Sequence, residues 1–361
     1  MLLPTLEGGG TERFATTMAR ALSSRGWRVT MLVGRREGPF LDEASRFAVV
    51  RGLGSDRVAR ALGPALAWLH VERPDVALGL LSFAHVLGLA GALLPEKTRV
   101  VLRPSTNLGD IVPTHERRGR ARRAVHARVV AQSLARADLV IAQSHALAED
   151  LVDVVPDRAR VAVLPNPVDE TPVRARAGVV DARAPHLVAI GRLSPQKGYD
   201  LLVDALARVR RARPGTRLTI YGEGPERDAL VARARALGVD DALALAGFAK
   251  DAADRAAGAD LFVSASRFEG LQNALLEALA RGMRVLITDT RSGNREVVRD
   301  GENGFVCARE DVDALAAGID RAIDTALPLS PSEIVDDVLA RYGVDVIADR
   351  ADALLRGLAA R

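Results

Sequence analysis

Short apolar runs alternate with longer amphipathic stretches along almost the whole chain of 361 residues. Such alternation is typical of strand–helix–strand units, in which helices cross over the sheet to join parallel strands. It therefore predicts an open α/β architecture. The predicted strands of the first half are 27–33, 75–81, 99–102, 138–142 and 161–164, and those of the second half are 186–190, 217–221, 242–245, 260–264, 284–288 and 304–306.

Residues 166–185 interrupt this alternation. They contain three prolines and scattered charges, which indicate a linker. We therefore expect two doubly wound, Rossmann-like parallel-sheet domains, residues 1–168 and residues 169–340, facing a cleft where ligands bind. A last helical stretch, residues 341–361, is expected to pack back on the first domain.

Composition excludes several kinds of site. The single cysteine, Cys307, excludes an internal disulfide framework and a multi-cysteine metal site. The six histidines show none of the paired spacings of zinc sites, so we expect no metal. No apolar run reaches the length of a membrane span, and no signal peptide precedes the first motif. We therefore expect a cytoplasmic protein.

Positive charge is concentrated in the first half of the chain. Residues 1–170 hold 23 Lys and Arg against 18 Asp and Glu, whereas residues 171–361 hold 27 against 28. Much of the excess lies in one predicted basic helix. Its arginines are Arg117, Arg118, Arg120, Arg122, Arg123 and Arg128. A solvated helix face is one interpretation, and contact with an anionic membrane surface is the other. Nucleic acid is not expected, because no aromatic residues are interleaved for stacking.

The most informative segment is R-F-E-G-L-Q-N-A-L-L-E-A-L-A-R-G, residues 267–282. Glu269 falls in a predicted strand-to-helix turn, and Glu277 is predicted two turns inside the helix. Eight helical residues span about 12 Å, roughly the reach of a nucleotide sugar. One carboxylate could then hold sugar hydroxyls and the other ribose hydroxyls, with a diphosphate at the helix N-terminus between them.

Three further segments carry candidate ligand-binding groups. I-G-R-L-S-P-Q-K-G, residues 190–198, places Arg192 and Lys197 in a strand-to-helix loop, where two cations suit a diphosphate. G-G-G-T-E-R, residues 8–13, allows close backbone approach to an anion, with a flexible loop as the alternative. His85 follows a predicted strand and is either a proton carrier or a packing histidine.

These motifs, in this order and spacing, resemble the family 4 retaining glycosyltransferases of the GT-B fold. The resemblance spans nearly the whole chain. It is carried by G-G-G-T-E-R (8–13), A-D-L-V-I-A-Q-S (137–144), L-P-N-P-V-D (164–169), G-R-L-S-P-Q-K-G-Y-D-L-L (191–202), Y-G-E-G-P-E-R (221–227), S-R-F-E-G-L-Q-N-A-L-L-E-A (266–278) and R-E-V-V-R-D-G-E-N-G-F-V (295–306).

The resemblance implies a hexosyltransferase that uses a nucleoside-diphosphate sugar, with UDP expected, and retains the anomeric configuration. The implied acceptor is a hydroxyl of a glycan or lipid-linked intermediate in cell-envelope or exopolysaccharide synthesis, at the inner face of the membrane. Neither a cofactor nor a metal is implied, since fixed cations take the place of Mg²⁺.

The resemblance also implies a role for each matched residue. Arg192 and Lys197 would neutralise the departing diphosphate, and Glu269 would hold the transferred sugar. The implied donor-binding groups are Glu277 at the ribose, Gly9 and Gly10 from the first domain, the backbone amides of Asn273, Ala274 and Leu275 at the phosphates, and Gly247 and Phe248 beside the base.

The chain departs from its relatives on the acceptor side. The strand before the glycine loop is cut to residues 1–3, where the family has a longer strand. Many relatives carry a histidine where this chain has Arg103-Pro-Ser-Thr-Asn107, so His85, Arg103 and Asn107 are the acceptor-side candidates. Two alternatives stay open: a nucleotide-sugar-binding protein without catalysis, and a nucleotide-sugar epimerase that needs no acceptor.

Overall fold

The computed structural model of the protein describes residues 1–104, 120–152, 155, 157–171, 174–175, 181–290 and 292–360, apart from the side chains of residues 120–127 and 159. The chain divides into two compact units. The first unit is Met1–Pro167 with Val344–Arg361, and the second is Val168–Gly343. Each unit is a doubly wound parallel α/β sheet, so the predicted fold class is confirmed.

Within the described residues, seven parallel strands form the sheet of the first unit, in the order β3-β2-β1-β4-β5-β6-β7. The strands are β1 (Leu2–Leu3), β2 (Thr30–Val33), β3 (Val49–Gly52), β4 (Val76–Leu80), β5 (Arg99–Arg103), β6 (Leu139–Ala142) and β7 (Val161–Val163). The order reverses between β1 and β4, which pair directly at Leu2 and Gly79. Short as it is, β1 therefore lies at the centre of the sheet.

Helices cover both faces of the first sheet. They are Gly10–Ser23, Leu41–Ala44, Val58–Glu72, Ser82–Ala90, Arg120–Ala135, His145–Val152 and Val344–Ala359, with 3₁₀ turns at Gly91–Leu93 and Arg158–Arg160. The C-terminal helix buries Ile347 and Leu355 in the same core as Phe14 and Met18 of the first helix. The Trp27 indole also donates to this helix, 2.6 Å from Asp352 Oδ1.

Six parallel strands form the sheet of the second unit, in the order β10-β9-β8-β11-β12-β13, within the described residues. They are β8 (His186–Ile190), β9 (Arg217–Tyr221), β10 (Leu243–Gly247), β11 (Leu261–Ser264), β12 (Val285–Thr288) and β13 (Phe305–Cys307). Strands β11 and β12 are buried on both faces, as a parallel sheet between helical layers requires.

The helices of the second unit complete two cores, one on each face of its sheet. They are Tyr199–Ala212, Arg227–Ala236, Ala252–Ala256, Asn273–Leu279, Asn294–Val297, Val312–Asp324 and Pro331–Tyr342, with 3₁₀ turns at Pro195–Lys197 and Asp240–Ala242. Cys307 is half-buried at the end of β13, where burial raises the pKa of its thiol to about 12.

Sequence patterns placed one helix boundary wrongly and missed one strand. The predicted helical stretch 341–361 is two helices, because Pro331–Tyr342 belongs to the second unit and Val344–Ala359 to the first. Strand β3 was not predicted. It lies at the sheet edge with Val49, Arg51 and Gly52 exposed, so it lacks the apolar run that marks a buried strand.

Candidate active site

The predicted site residues of the second unit lie at the carboxyl edge of its sheet, where the strand order reverses. Strand β8 pairs with β9 on one side and with β11 on the other. The loops that follow β8 and β11 therefore leave the sheet next to each other. In open α/β sheets this switch point is the usual ligand site. Lys197 lies in the first of these loops and Glu269 in the second.

Lys197 and Glu269 form a largely buried ion pair. Lys197 Nζ lies 2.5 Å from Glu269 Oε1, and the two side chains are 14% and 8% exposed. Ser266 Oγ donates to the same carboxylate oxygen at 2.8 Å. Lys197 and Glu269, which are 72 positions apart in the chain, are thus in direct contact. An anion that bound Lys197 would displace the Glu269 carboxylate from its ammonium.

The loop that carries Lys197 has one conformation that only glycine fits well. Pro195–Lys197 form a 3₁₀ turn that ends at Gly198, which has φ of +62°. A side chain at Gly198 would also collide with the carbonyl oxygen of Ala265, just after β11. Glycine here allows the two loops to approach closely, which brings Lys197 to Glu269.

A network of buried polar side chains holds the loop that carries Glu269. Ser264 Oγ donates to Gln272 Oε1 at 2.7 Å, and Gln272 N donates to Asn294 Oδ1 at 2.9 Å. Thr288 Oγ1 donates to the carbonyl of Ser266 at 2.6 Å. Sequence reasoning missed these residues; a polar residue at the end of a buried strand is a signal that could have found Ser264 and Thr288, but not Gln272 or Asn294. Their bonds fix the loop that presents the carboxylate.

The spacing argument for the two glutamates was wrong. The helix begins at Asn273, so Glu269 lies in the loop before it and Glu277 is its fifth residue. No continuous helical segment joins them, and the expected rise of about 12 Å does not apply. Glu277 is half-buried, and its backbone carbonyl accepts a hydrogen bond from Arg281 at 2.7 Å.

The other predicted donor-binding residues lie along the same edge. Arg192 is exposed and has no hydrogen-bond or ion-pair partner within the described part of the chain. Gly247 ends β10, and Phe248 beside it is 48% exposed. No side chain caps the helix at Asn273, Ala274 and Leu275. The first amides of any helix have no acceptor within that helix.

In the first unit, Gly9 and Gly10 are exposed at the start of the helix Gly10–Ser23, as the N-cap and first residue. Glu12 folds back on them, so that a side chain at Gly9 would collide with its carboxylate. Burial raises the pKa of Glu12, against the effect of a hydrogen bond from its own backbone amide. A carboxylate thus occupies the end of the helix where an anion was predicted, which sequence reasoning did not foresee.

Glu12→Gln should raise the thermal unfolding midpoint at pH 7 by roughly 2–4 °C, the size of about 1 kcal/mol in such a domain. The ionised carboxylate is disfavoured by burial, and glutamine keeps the acceptor without the charge. The gain should shrink as pH falls through the raised pKa, because native Glu12 then binds a proton. Asp42→Asn, an exposed first-turn carboxylate, is the matched control; an equal gain there would contradict the assignment to burial.

Of the acceptor-side candidates, His85 lies in the helix after β4 and Arg103 at the end of the neighbouring strand β5, and Asn107 lies outside the described residues. His85 is half-buried, and its Nδ1 lies 3.2 Å from Oγ of the buried Ser133. Arg103 ends β5 and is 1% exposed; it bonds Asn166 Oδ1 at 2.5 Å and stacks 3.7 Å over the Phe14 ring. Burial lowers the pKa of Arg103 to about 9. Its contact with an acceptor stays a prediction.

Some predicted groups lie outside the described residues. They are Asn107, Arg117 and Arg118, together with the side chains of Arg120, Arg122 and Arg123. In the part of the chain that is described, no three His, Cys, Asp or Glu side chains are grouped to hold a metal ion. Within the same ranges, no helix combines the length and apolar character needed to cross a bilayer.

Two family profiles match the chain in succession. The profile described as Glycosyltransferase Family 4 matches residues 8–171, which hold the glycine loop. The profile described as Glycosyl transferases group 1 matches residues 184–325, which hold Lys197 and Glu269.

Named relatives share this pattern over different lengths. The chain is 29% identical to the lipopolysaccharide core biosynthesis glycosyltransferase LpsE of Rhizobium meliloti over 87% of this chain and 86% of that protein. It is 32% identical to an exopolysaccharide phosphotransferase of Streptomyces coelicolor over 56% of this chain, but spans only 21% of that longer protein.

Solved structures show the same fold. Anabaena HepE in complex with UDP-glucose matches with a TM-score of 0.80 at 21% identity, over 99% of both chains. The lipopolysaccharide outer core galactosyltransferase WaaB in its apo form matches with a TM-score of 0.72 at 20% identity, over 98% of both chains.

Proposed function

Because the chain belongs to the family 4 glycosyltransferases, we propose that it transfers a hexosyl unit from a nucleoside-diphosphate sugar to an acceptor hydroxyl. The proposal includes retention of the anomeric configuration. The observation that supports it most is the Lys197–Glu269 pair at the switch point of the second sheet. This pair places a cation and a carboxylate side by side where a sugar diphosphate would bind.

Lys197 would act on the leaving group. Breaking the bond between the anomeric carbon and the phosphate oxygen puts negative charge on the diphosphate. A fixed ammonium in a largely buried site stabilises that charge as it develops. Arg192, which is exposed and unpaired among the described residues, would add a second cation, and the first amides of the helix at Asn273 would add donors.

Glu269 would hold the transferred sugar. In the ligand-free protein its carboxylate accepts from Lys197 and Ser266. When the diphosphate takes over Lys197, an oxygen of Glu269 becomes available to accept from sugar hydroxyls. In a same-face route, the acceptor oxygen bonds to the anomeric carbon, and the departing phosphate oxygen takes the acceptor proton. No side-chain base is then required, and neither a metal nor a cofactor enters the proposed route.

The proposed donor is a UDP-sugar. Support comes from the structural neighbour HepE, which binds UDP-glucose, and from Phe248, whose exposed ring at the end of β10 offers a stacking surface for a base. Glu277 would bind the ribose, and Gly9 and Gly10 stay predicted donor-binding residues.

A thermal-shift screen of UDP-glucose, UDP-galactose, UDP-N-acetylglucosamine, GDP-mannose and ADP-glucose tests the donor. A bound donor stabilises the native state by mass action, by about 2.7 kcal/mol at one hundred times its Kd. We expect the largest shift with a UDP-sugar, and release of UDP from it with or without EDTA. Shifts without UDP release under any condition would favour a binding protein, and conversion to another UDP-sugar would favour an epimerase.

The acceptor is proposed to be a lipid-linked or polysaccharide intermediate at the inner membrane face. Support comes from the relative LpsE, a glycosyltransferase of lipopolysaccharide core biosynthesis, and from the excess positive charge of residues 1–170. We expect flotation with liposomes that contain anionic lipid and none with neutral liposomes, because the attraction is electrostatic. Equal recovery with both would contradict a charged membrane face.

A further inference from the structure

Arg267 joins the loop that carries Glu269 to the loop that carries Lys197. Its guanidinium Nη1 donates to the Pro195 carbonyl at 2.6 Å, and its backbone amide donates to the Gln196 carbonyl at 2.8 Å. Both acceptors belong to the 3₁₀ turn Pro195–Lys197. The two residues before Lys197 are therefore both bonded to Arg267.

The same guanidinium is anchored by Asp200 on the far side of the turn. Nη1 and Nη2 of Arg267 donate to the two oxygens of Asp200 at 2.9 and 2.7 Å. Asp200 is the second residue of the helix Tyr199–Ala212, which begins directly after Gly198. Burial opposes ionisation of Asp200, but the hydrogen bonds and charge of Arg267 outweigh it, so the pKa of Asp200 is lowered. The fork is partly shielded, with side chains 24% and 32% exposed.

We propose that Arg267 is a positioning residue for the transfer reaction. It grips the turn at Pro195 and Gln196 and the following helix at Asp200, and so holds the backbone of Lys197 between two fixed points. A lysine side chain is long and flexible, so its ammonium can be held in position only if its backbone is fixed. The inference rests on the proposed function, in which Lys197 meets the leaving diphosphate.

A hydrogen bond from the first loop back to the second agrees with this role. Gln196, which precedes Lys197, donates from Nε2 to the carbonyl of Phe268, which follows Arg267, at 3.1 Å. Each loop therefore donates hydrogen bonds to the other. A bidentate arginine adds geometric specificity as well as energy, which lysine at the same position could not supply.

The chain offers a matched control on the same helix. Arg233 donates from Nε and Nη2 to the two oxygens of Asp204 at 2.6 and 2.5 Å. Asp204 is one turn after Asp200, and within the described residues the Arg233–Asp204 fork makes no hydrogen bond to either loop. Arg233→Ala therefore removes a comparable fork from the helix without removing a hydrogen bond to the turn that holds Lys197; the only link of Arg233 to Asp200 is the attraction between their charges.

Amine labelling can test the placement of Lys197 without any substrate, because the chain has only three lysines. Lys97 and Lys250 are exposed and serve as internal references, whereas Lys197 is shielded against Glu269. Acetylation with acetic anhydride, followed by mass spectrometry of the full-length protein's peptides, gives the three rates separately. Rates are compared among variants with cooperative thermal unfolding.

We expect Arg267→Ala to raise the labelling rate of Lys197 about fivefold relative to Lys97 and Lys250, the effect of losing a charged hydrogen-bonded fork. Asp200→Asn should give a similar rise, which keeps the test valid if Arg267→Ala does not fold. Arg233→Ala should leave all three rates unchanged. Unchanged Lys197 labelling in both loop variants, or an equal rise in Arg233→Ala, would overturn the inference.

Turnover separates this inference from the proposed function. With the UDP-sugar that gives the largest thermal shift, Arg267→Ala should lower kcat by a larger factor than it raises KM. When Lys197→Ala is already present, Arg267→Ala should lower kcat little further. If Lys197→Ala alone leaves kcat intact, the proposed leaving-group role fails whatever the labelling shows. If Lys197→Ala abolishes turnover while Arg267→Ala behaves like Arg233→Ala, only the positioning role fails.

Discussion

Lys197→Ala should lower kcat at saturating donor by about 100- to 1,000-fold, the usual cost of removing one fixed group that stabilises charge in the transition state. Lys197 lies in a largely buried pair with Glu269 at the sheet's switch point, where the diphosphate is proposed to bind. The charge on that diphosphate grows as the bond breaks, so turnover should fall far more than donor affinity. Initial rates of UDP release over a range of donor concentrations measure both.

The other two lysines provide the control. Lys97→Ala and Lys250→Ala remove exposed amines and should leave kcat unchanged. A kcat for Lys197→Ala within a few-fold of the native value would show that this ammonium does not act on the leaving group.

Lys197→Met and Glu269→Gln should each lower the unfolding midpoint of the ligand-free protein by about 6–10 °C, the size of about 2–3 kcal/mol in a unit of this length. Either change leaves the opposite charge buried without its partner, since the two side chains are only 14% and 8% exposed. In the double variant no charge remains, and Ser266 still donates to the residue at position 269. The double variant should therefore recover most of the loss.

Thermal melts of the four proteins complete this cycle, and the coupling is read as the departure from additivity. The exposed pair of Arg255 and Asp251 is the comparison, because changes there should shift the midpoint little. If the unfolding midpoint of the double variant is lowered by the sum of the two single-variant decreases, Lys197 and Glu269 do not form a pair in solution.

The fold was predictable because parallel strands buried on both faces leave a plain mark in the sequence. The predicted runs 260–264 and 284–288 are mostly apolar, and the structure has strands buried on both faces at Leu261–Ser264 and Val285–Thr288. The exposed edge strand Val49–Gly52 has no such mark, because half of its surroundings is solvent. Alternation therefore predicted the architecture but not its edge.

The candidate site was predictable only as a set of loops. Lys197 and Glu269 were chosen from charge and position after a strand, and the structure brings them to 2.5 Å. Their contact could not be read from the sequence, since it depends on the backbone at Gly198 and on the order of β8 and β11 in the sheet. The helix start at Asn273 was missed for a related reason, because tertiary bonds to Gln272 hold the preceding residues in a loop.

Glu12 shows what local pattern cannot supply. The glycine loop 8–13 predicted an anion site at a helix start, but not that the Glu12 carboxylate would fold back over Gly9. That outcome depends on the burial of the side chain by the rest of the first unit.

The anomeric configuration of the released sugar tests the central claim most directly. The purified protein is incubated with the UDP-sugar selected by the thermal-shift screen, with water as acceptor, and the first product is followed by proton NMR before it mutarotates. We predict release of UDP together with the α-anomer from an α-linked donor, and loss of both with Lys197→Ala. Release of the β-anomer first, or binding of the donor with no release of UDP, would contradict retaining transfer at this site.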